Sequence, residues 1–189
     1  MRLFTGIKFK GHIIDILCCL QSEITKRASK ARLVSEDNLH LTLFFLGKTS
    51  ENKLEEVRQA LKIVGERNTP FTLKLNNRLE TFDAKNPAKV VWVGVQEGLP
   101  DLQRLQQAIA SAMEQAGFKG DGRTYVPHIT VARDVYFKNA TDTGCEEGIG
   151  AKIATIPAMA VENFELIASE IKNGRRVYRT IAVFSLKNN

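Results

Sequence analysis

Two short stretches of this chain repeat one another: His40-Leu41-Thr42-Leu43 and His128-Ile129-Thr130-Val131. They hold two of its 3 histidines. Both lie in apolar, β-branched or aromatic surroundings, and both read as buried strands. Side chains alternate faces along a strand, so a histidine and a threonine two apart point the same way. Leu41 and Leu43, like Ile129 and Val131, then point into a core. Each strand offers one imidazole and one hydroxyl on a single surface.

Imidazole titrates near pH 6.5, so it takes or gives a proton near neutrality. Hydrolysis of a phosphodiester needs a base on the attacking side and an acid on the leaving side, and two imidazoles on opposite walls of a groove supply both without a metal. Threonine hydroxyls on the same face can donate to the non-bridging phosphate oxygens, which carry charge in the transition state. The plainer reading is a structural strand copied by duplication. Against it, burying two histidines and two threonines costs free energy unless every polar group is paired. His12, at the start of a helix without a partner motif, reads as a surface residue.

The elements around the two motifs also repeat. Residues 2–9 read as a strand, and Ile13, Ile14, Leu17, Leu20, Ile24 and Ala28 fall at helical spacing, so a helix is expected over residues 11–30. A link over 33–37 leads to the His40 strand, which Gly47 ends. Ser50 is placed to cap a second helix carrying Leu54, Val57, Leu61 and Val64 up to Gly65. Pro70 opens a strand, with residues 79–83 as its expected hairpin partner and Lys85-Asn86-Pro87 as a turn. Residues 89–95 are a β-branched strand, and a third helix runs from Asp101 to its stop at Gly117. After the loop 119–127 comes the His128 strand. Residues 139–150 read as a surface loop, and Lys172-Asn173-Gly174 as the turn of a closing hairpin over 158–186. Strand, helix, loop and histidine strand thus occur twice. The expectation is one α+β domain over residues 1–189, with two pseudo-symmetric lobes of largely antiparallel sheet, helices outside, and the His-x-Thr-x strands facing a central groove.

Composition bounds the function class. The chain has 189 residues, 43% hydrophobic and 25% charged, enough for one well-buried domain. No apolar run spans a membrane and the start lacks a signal-peptide layout, so a cytoplasmic protein is expected. Cys18, Cys19 and Cys145 have no metal or disulfide spacing; Cys18 and Cys19 read as packing residues, and no bound metal or cofactor is expected. A net charge of +6 suits a polyanionic partner, although the cations are dispersed along the chain.

On the runs Arg2-Leu3-Phe4, Asn38-Leu39-His40-Leu41-Thr42-Leu43-x-Phe45-Leu46-Gly47, Val90-Val91-Trp92 and Pro127-His128-Ile129-Thr130-x-x-Arg133, and on the terminal hairpin, the chain resembles the two-histidine phosphoesterases. It is most similar to their RNA 2′,3′-cyclic phosphodiesterase branch, the 2′-5′ RNA ligase family. The resemblance implies a metal-free hydrolase that opens terminal RNA 2′,3′-cyclic phosphates to 2′-phosphates, with His40 as proton donor, His128 as proton acceptor, and Thr42 and Thr130 holding the phosphate. It also implies Phe45 and Arg133 beside the substrate. Each lies five positions beyond its histidine, and five is odd. A regular strand would turn them away, so a bulge or strand end is required there. Phe45 would stack on a terminal base and Arg133 would contact phosphate; the competing readings are core for Phe45 and an ion pair with Asp134 or another acid for Arg133. Lys48, Lys119, Arg123 and Tyr125 are further RNA-contact candidates, equally well explained as surface residues.

The expected partner is RNA with a 2′,3′-cyclic phosphate end, with tRNA fragments among the candidates, and the expected state is a monomer. Two other readings compete: an RNA-end-binding module without turnover, and a phosphoesterase for a small cyclic nucleotide or ADP-ribose cyclic phosphate. Reversible 2′-5′ RNA ligation follows from microscopic reversibility.

Overall fold

The two histidine strands lie next to each other, and the rest of the sheet is laid out from that junction. In the computed structural model, which describes residues 1–82, 86–120, 122–139 and 156–187, the elements are β1 (Arg2–Lys8), α1 (His12–Arg27), β2 (Ala28–Leu33), β3 (His40–Lys48), α2 (Leu54–Glu66), β4 (Phe71–Thr81), β5 (Ala88–Glu97), α3 (Leu99–Gln115), β6 (His128–Phe137), β7 (Met159–Val161), β8 (Asn163–Lys172) and β9 (Arg175–Ser185). The sheet order is β7-β4-β5-β6-β3-β1-β8-β9, with β2 also on β6, and every pairing is antiparallel. The fold is α+β. The two expected lobes are therefore two halves of one curled sheet, joined where Leu41 pairs with Ile129.

The alternation read from the motifs carries the packing. Leu41, Leu43, Ile129 and Val131 are all buried on the helix side. Below them lie Leu17, Leu20 and Ile24 of α1 and Leu102, Leu105 and Ile109 of α3, also buried. Each such side chain contributes on the order of 1.5–3 kcal/mol when fully buried. The helices cross over: α1 packs on β6 and α3 on β3. The buried Gln21 of α1 donates to the carbonyls of Val34 and Val131, at 2.7 and 2.8 Å, tying the segment before β3 to β6.

Four expectations need correction. The first helix ends at Arg27, and residues 28–33 form β2 instead. Once β3 has left β6 beyond Leu41, the edge of β6 from Ala132 to Phe137 is unpaired, and β2 covers it. Helix-forming residues there yield to that pairing. The hairpin partner of β4 is β5, because β4 runs unbroken from Phe71 to Thr81 and its irregular register with β5 absorbs Asn76, Asn77 and Arg78. Ser50 makes no cap bond; its hydroxyl donates to the Asn52 side chain and a 3-10 turn, Glu51–Lys53, precedes α2. Cys19 is exposed, while Cys18 packs partly against the core.

His12 is exposed, as expected. The closing hairpin turns at Asn173 and Gly174, both with positive φ (50° and 73°), as an Asn-Gly turn requires. Residues 140–150 of the expected surface loop, including Cys145, and residues 83 and 85 lie outside the described residues. Among the described residues no helix is long and apolar enough to cross a membrane.

Candidate active site

The junction pair brings both motifs to one face. Leu41 and Ile129 point down into the core, so His40 and Thr42 on one strand, and His128 and Thr130 on the other, point up from two strands in contact. All four are partly buried. Close approach at β1 is secured by Gly6, beside Thr42: a methyl group there would meet the Leu41 carbonyl oxygen at 2.8 Å and the His40 Cδ2 at 3.5 Å.

The imidazoles are held in the same way. The Nδ1 of His40 lies 2.7 Å from the Asn38 carbonyl oxygen, and that of His128 lies 2.7 Å from the Val126 carbonyl oxygen. A carbonyl only accepts, so Nδ1 carries the proton and donates it. In the neutral ring Nε2 is then the basic nitrogen. For His40 it lies 3.0 Å from the Thr42 hydroxyl, which donates to it. Aromatic rings wall each histidine: Phe4 and Tyr178 have centroids 4.8 and 5.0 Å from His40, and Phe82 and Trp92 have centroids 4.9 and 5.7 Å from His128.

Burial disfavours the charged ring, so His40 is driven down to about 4, against the opposing pull of its bond to the Asn38 carbonyl. The positive charges of Lys8 and Arg133 push the same way, as does His128. His128 is also lowered, again by burial first, with Arg133 and Arg123 adding to it. Both histidines thus feel Arg133.

The bulge that Phe45 and Arg133 required is present in both strands. In β3 the partners of Thr5 and Gly6 are Phe44 and Thr42, so Leu43 is skipped. In β6 the partners of Val91 and Trp92 are Ala132 and Thr130, so Val131 is skipped. After each bulge the alternation reverses. Burial runs in the same order over 40–45 and 128–133: partly buried, buried, partly buried, buried, buried, exposed. Phe45, 56% exposed, and Arg133 therefore emerge on the histidine face. Asp134, the expected ion partner of Arg133, pairs with Arg32 at 2.8 Å instead.

Of the further candidates, Tyr125 donates its hydroxyl to the Thr42 carbonyl at 3.0 Å, and burial raises its pKa. Arg123 is exposed with its charge felt at His128, and Lys48 and Lys119 are exposed. Sequence reasoning missed the aromatic walls and the side chain of Asn38. That amide donates to the Arg176 carbonyl (2.9 Å) and accepts from the Tyr178 N–H (3.1 Å), fastening β9 to the turn that carries the carbonyl holding His40. Its place two before the histidine was the available signal; Phe4 and Trp92 stand in the runs that carry the resemblance, whereas Phe82 and Tyr178 reach the histidines non-locally and had none. Among the described residues no group of three or more His, Cys, Asp or Glu gathers to hold a metal.

Comparison with known proteins places this geometry in a known setting. Residues 21–143 match the model of the 2′-5′ RNA ligase superfamily. An RNA 2′,3′-cyclic phosphodiesterase of Thermotoga maritima is 28% identical over 96% of this chain and 93% of its own length. One of Methanocaldococcus jannaschii is 31% identical over 74% of this chain and 75% of its own. The crystal structure of Escherichia coli LigT complexed with 3′-AMP superposes with a TM-score of 0.77, at 27% identity, covering 99% of this chain and 98% of that one.

Proposed function

Because the chain belongs to the 2′-5′ RNA ligase superfamily, we propose that its two-histidine face opens RNA 2′,3′-cyclic phosphate ends to 2′-phosphomonoesters. It is a hydrolase, an RNA 2′,3′-cyclic phosphodiesterase, and RNA is its substrate. The observation that carries the reading is the pair of imidazoles, each with Nδ1 engaged by a backbone carbonyl so that Nε2 is the basic nitrogen, on two strands joined at Leu41 and Ile129.

In the proposed reaction His128, neutral at pH 7, takes a proton from water through Nε2 as the water oxygen bonds to phosphorus. The P–O3′ bond breaks, and His40 gives a proton to O3′, leaving a 3′-hydroxyl and a 2′-phosphate. Thr130 donates to a non-bridging oxygen, and so does Thr42, whose hydroxyl is released from His40 Nε2 once that nitrogen carries a proton. Arg133 neutralises phosphate charge and Phe45 stacks on a base. His40 is uncharged in the free protein at pH 7, so its acid form depends on the substrate. A phosphodiester carries a negative charge to a face where Lys8 and Arg133 otherwise oppose protonation, and that charge raises the proton affinity of the ring. An imidazolium formed only in the complex is a strong acid toward the departing oxygen. With a 5′-hydroxyl in place of water as the attacking group, the same steps join RNA ends through a 2′-5′ bond, O3′ again leaving with the proton from His40. We place the protein in the cytoplasm as a monomer, with tRNA fragments among its substrates, and with residues 1–189 acting as one domain.

The direct test supplies a short RNA bearing a cyclic end, with EDTA present, and identifies the product. A 2′-phosphate end is the expected result. Tight binding without product would favour the end-binding module, and turnover confined to mononucleotide cyclic phosphates would favour the small-substrate reading.

A further inference from the structure

Lys8 stands directly opposite His40 in the β1–β3 ladder. Directly paired residues share a face, with Cβ atoms about 4.5–5.5 Å apart. The Lys8 ammonium, however, reaches the other way. It donates to the Thr180 hydroxyl of β9 at 3.2 Å, and that hydroxyl donates to the buried Glu165 carboxylate of β8 at 2.6 Å. Since the sheet order runs β6-β3-β1-β8-β9, the cation lies on the far side of His40 from His128. The strands past the junction thus present His128, His40 and a tethered ammonium, in that order. The same lobe ends in a hairpin carrying the exposed Lys172, Arg175 and Arg176.

We infer that Lys8 binds the phosphodiester on the 5′ side of the terminal nucleotide, and so favours the end of an RNA chain over a free nucleoside cyclic phosphate. The inference rests on the proposed roles, since His40 protonates O3′ and the ribose that carries O3′ must sit on the His40 wall. The chain leaves that ribose through its 5′ carbon, away from the phosphorus lying between the histidines. The next phosphate along meets the outer side of His40, where Lys8 stands. An ammonium acts there as a point charge for an anion. The plainer role for Lys8 is to balance the buried Glu165 through Thr180. Such a role would alter stability, but it would not distinguish between substrates.

The test compares a nucleoside 2′,3′-cyclic phosphate bearing a 5′-phosphate with the same compound bearing a 5′-hydroxyl. The ratio of their kcat/KM values cancels any effect of Lys8 on His40 itself. Wild-type protein is expected to prefer the 5′-phosphorylated compound. Lys8→Met should shrink that preference about tenfold, and Lys8→Arg should retain most of it. A preference unchanged in Lys8→Met, or absent from the wild type, overturns the inference. If the wild type turned over neither of these compounds nor a short RNA with a cyclic end, the hydrolase reading would be the one to fail. The same ratio, read from equilibrium binding of the two compounds to wild type and Lys8→Met, would still decide the role of Lys8.

Discussion

The His40 wall and the His128 wall use the same device in different surroundings. Both histidines hand their Nδ1 proton to a carbonyl two residues back at 2.7 Å, and both strands bulge after the threonine and then show a third side chain on the same face. The surroundings differ. His40 has the Thr42 hydroxyl at 3.0 Å, the rings of Phe4 and Tyr178, an amide staple at Asn38 and the charge of Lys8 nearby. His128 stands against Phe82 and Trp92, its carbonyl comes from Val126, and Phe82 is 52% exposed. The tautomer lock and the bulge serve both strands because each imidazole must present Nε2. Two titratable groups in unlike environments are how an acid and a base are set apart.

The strongest way to break this comparison is to remove each imidazole in turn. His40→Ala and His128→Ala are each expected to lower kcat on a cyclic-ended RNA by about 10²–10⁴-fold, the usual contribution of a positioned acid or base. Both variants should keep the wild-type circular dichroism spectrum. If one of them retained near wild-type turnover, one wall would be structural, and the paired acid–base account would fail.

A smaller effect sharpens the difference between the two carbonyl mounts. Asn38→Ala removes two side-chain hydrogen bonds to β9, at about 1 kcal/mol each, so a stability loss of about 2 kcal/mol is expected in denaturant unfolding. Because the staple also sets the carbonyl that orients His40, kcat should fall about tenfold with KM little changed. Val126→Ala alters a side chain that makes no such staple and should leave kcat within about twofold. Equal effects at the two positions would mean that Asn38 supports the fold alone.

The divergence between the walls also explains what could be read from the chain beforehand. Local spacing revealed both His-x-Thr pairs, and the resemblance, by putting Phe45 and Arg133 beside the substrate at an odd offset, called for a bulge or a strand end, of which the strands contain the bulge. Residues 28–33 could not be read as a strand, since Ala, Lys and Arg favour helix and only the open edge of β6 makes them extended. The staple of Asn38 and the ring of Tyr178 depend on β9 returning beside β8 from far along the chain. No period within β9 announces its neighbour. The merging of two lobes into one sheet likewise rests on a single pair, Leu41 with Ile129, in which each partner is one apolar residue among many.

The smallest effect is in stability, and its sign follows from burial of the imidazole. His40 ionises near 4 in the folded protein and near 6.5 when unfolded. Above pH 6.5 both states hold it neutral and nothing is lost. As pH falls from 6.5 towards 4 the unfolded chain takes up a proton that the folded ring refuses, so stability declines through that window and levels off below it. With allowance for the ring's partial contact with solvent, the decline is about 1 kcal/mol. His40→Gln abolishes this titration, so its unfolding free energy between pH 6.5 and 4 should fall less steeply than that of the wild type. Saturating 2′-nucleotide should counter the wild-type decline, because a phosphate at this face favours the charged ring that burial rejects. A wild-type curve parallel to that of His40→Gln would mean that the ring charges freely in the folded protein. The walls would then differ in shape but not in proton affinity.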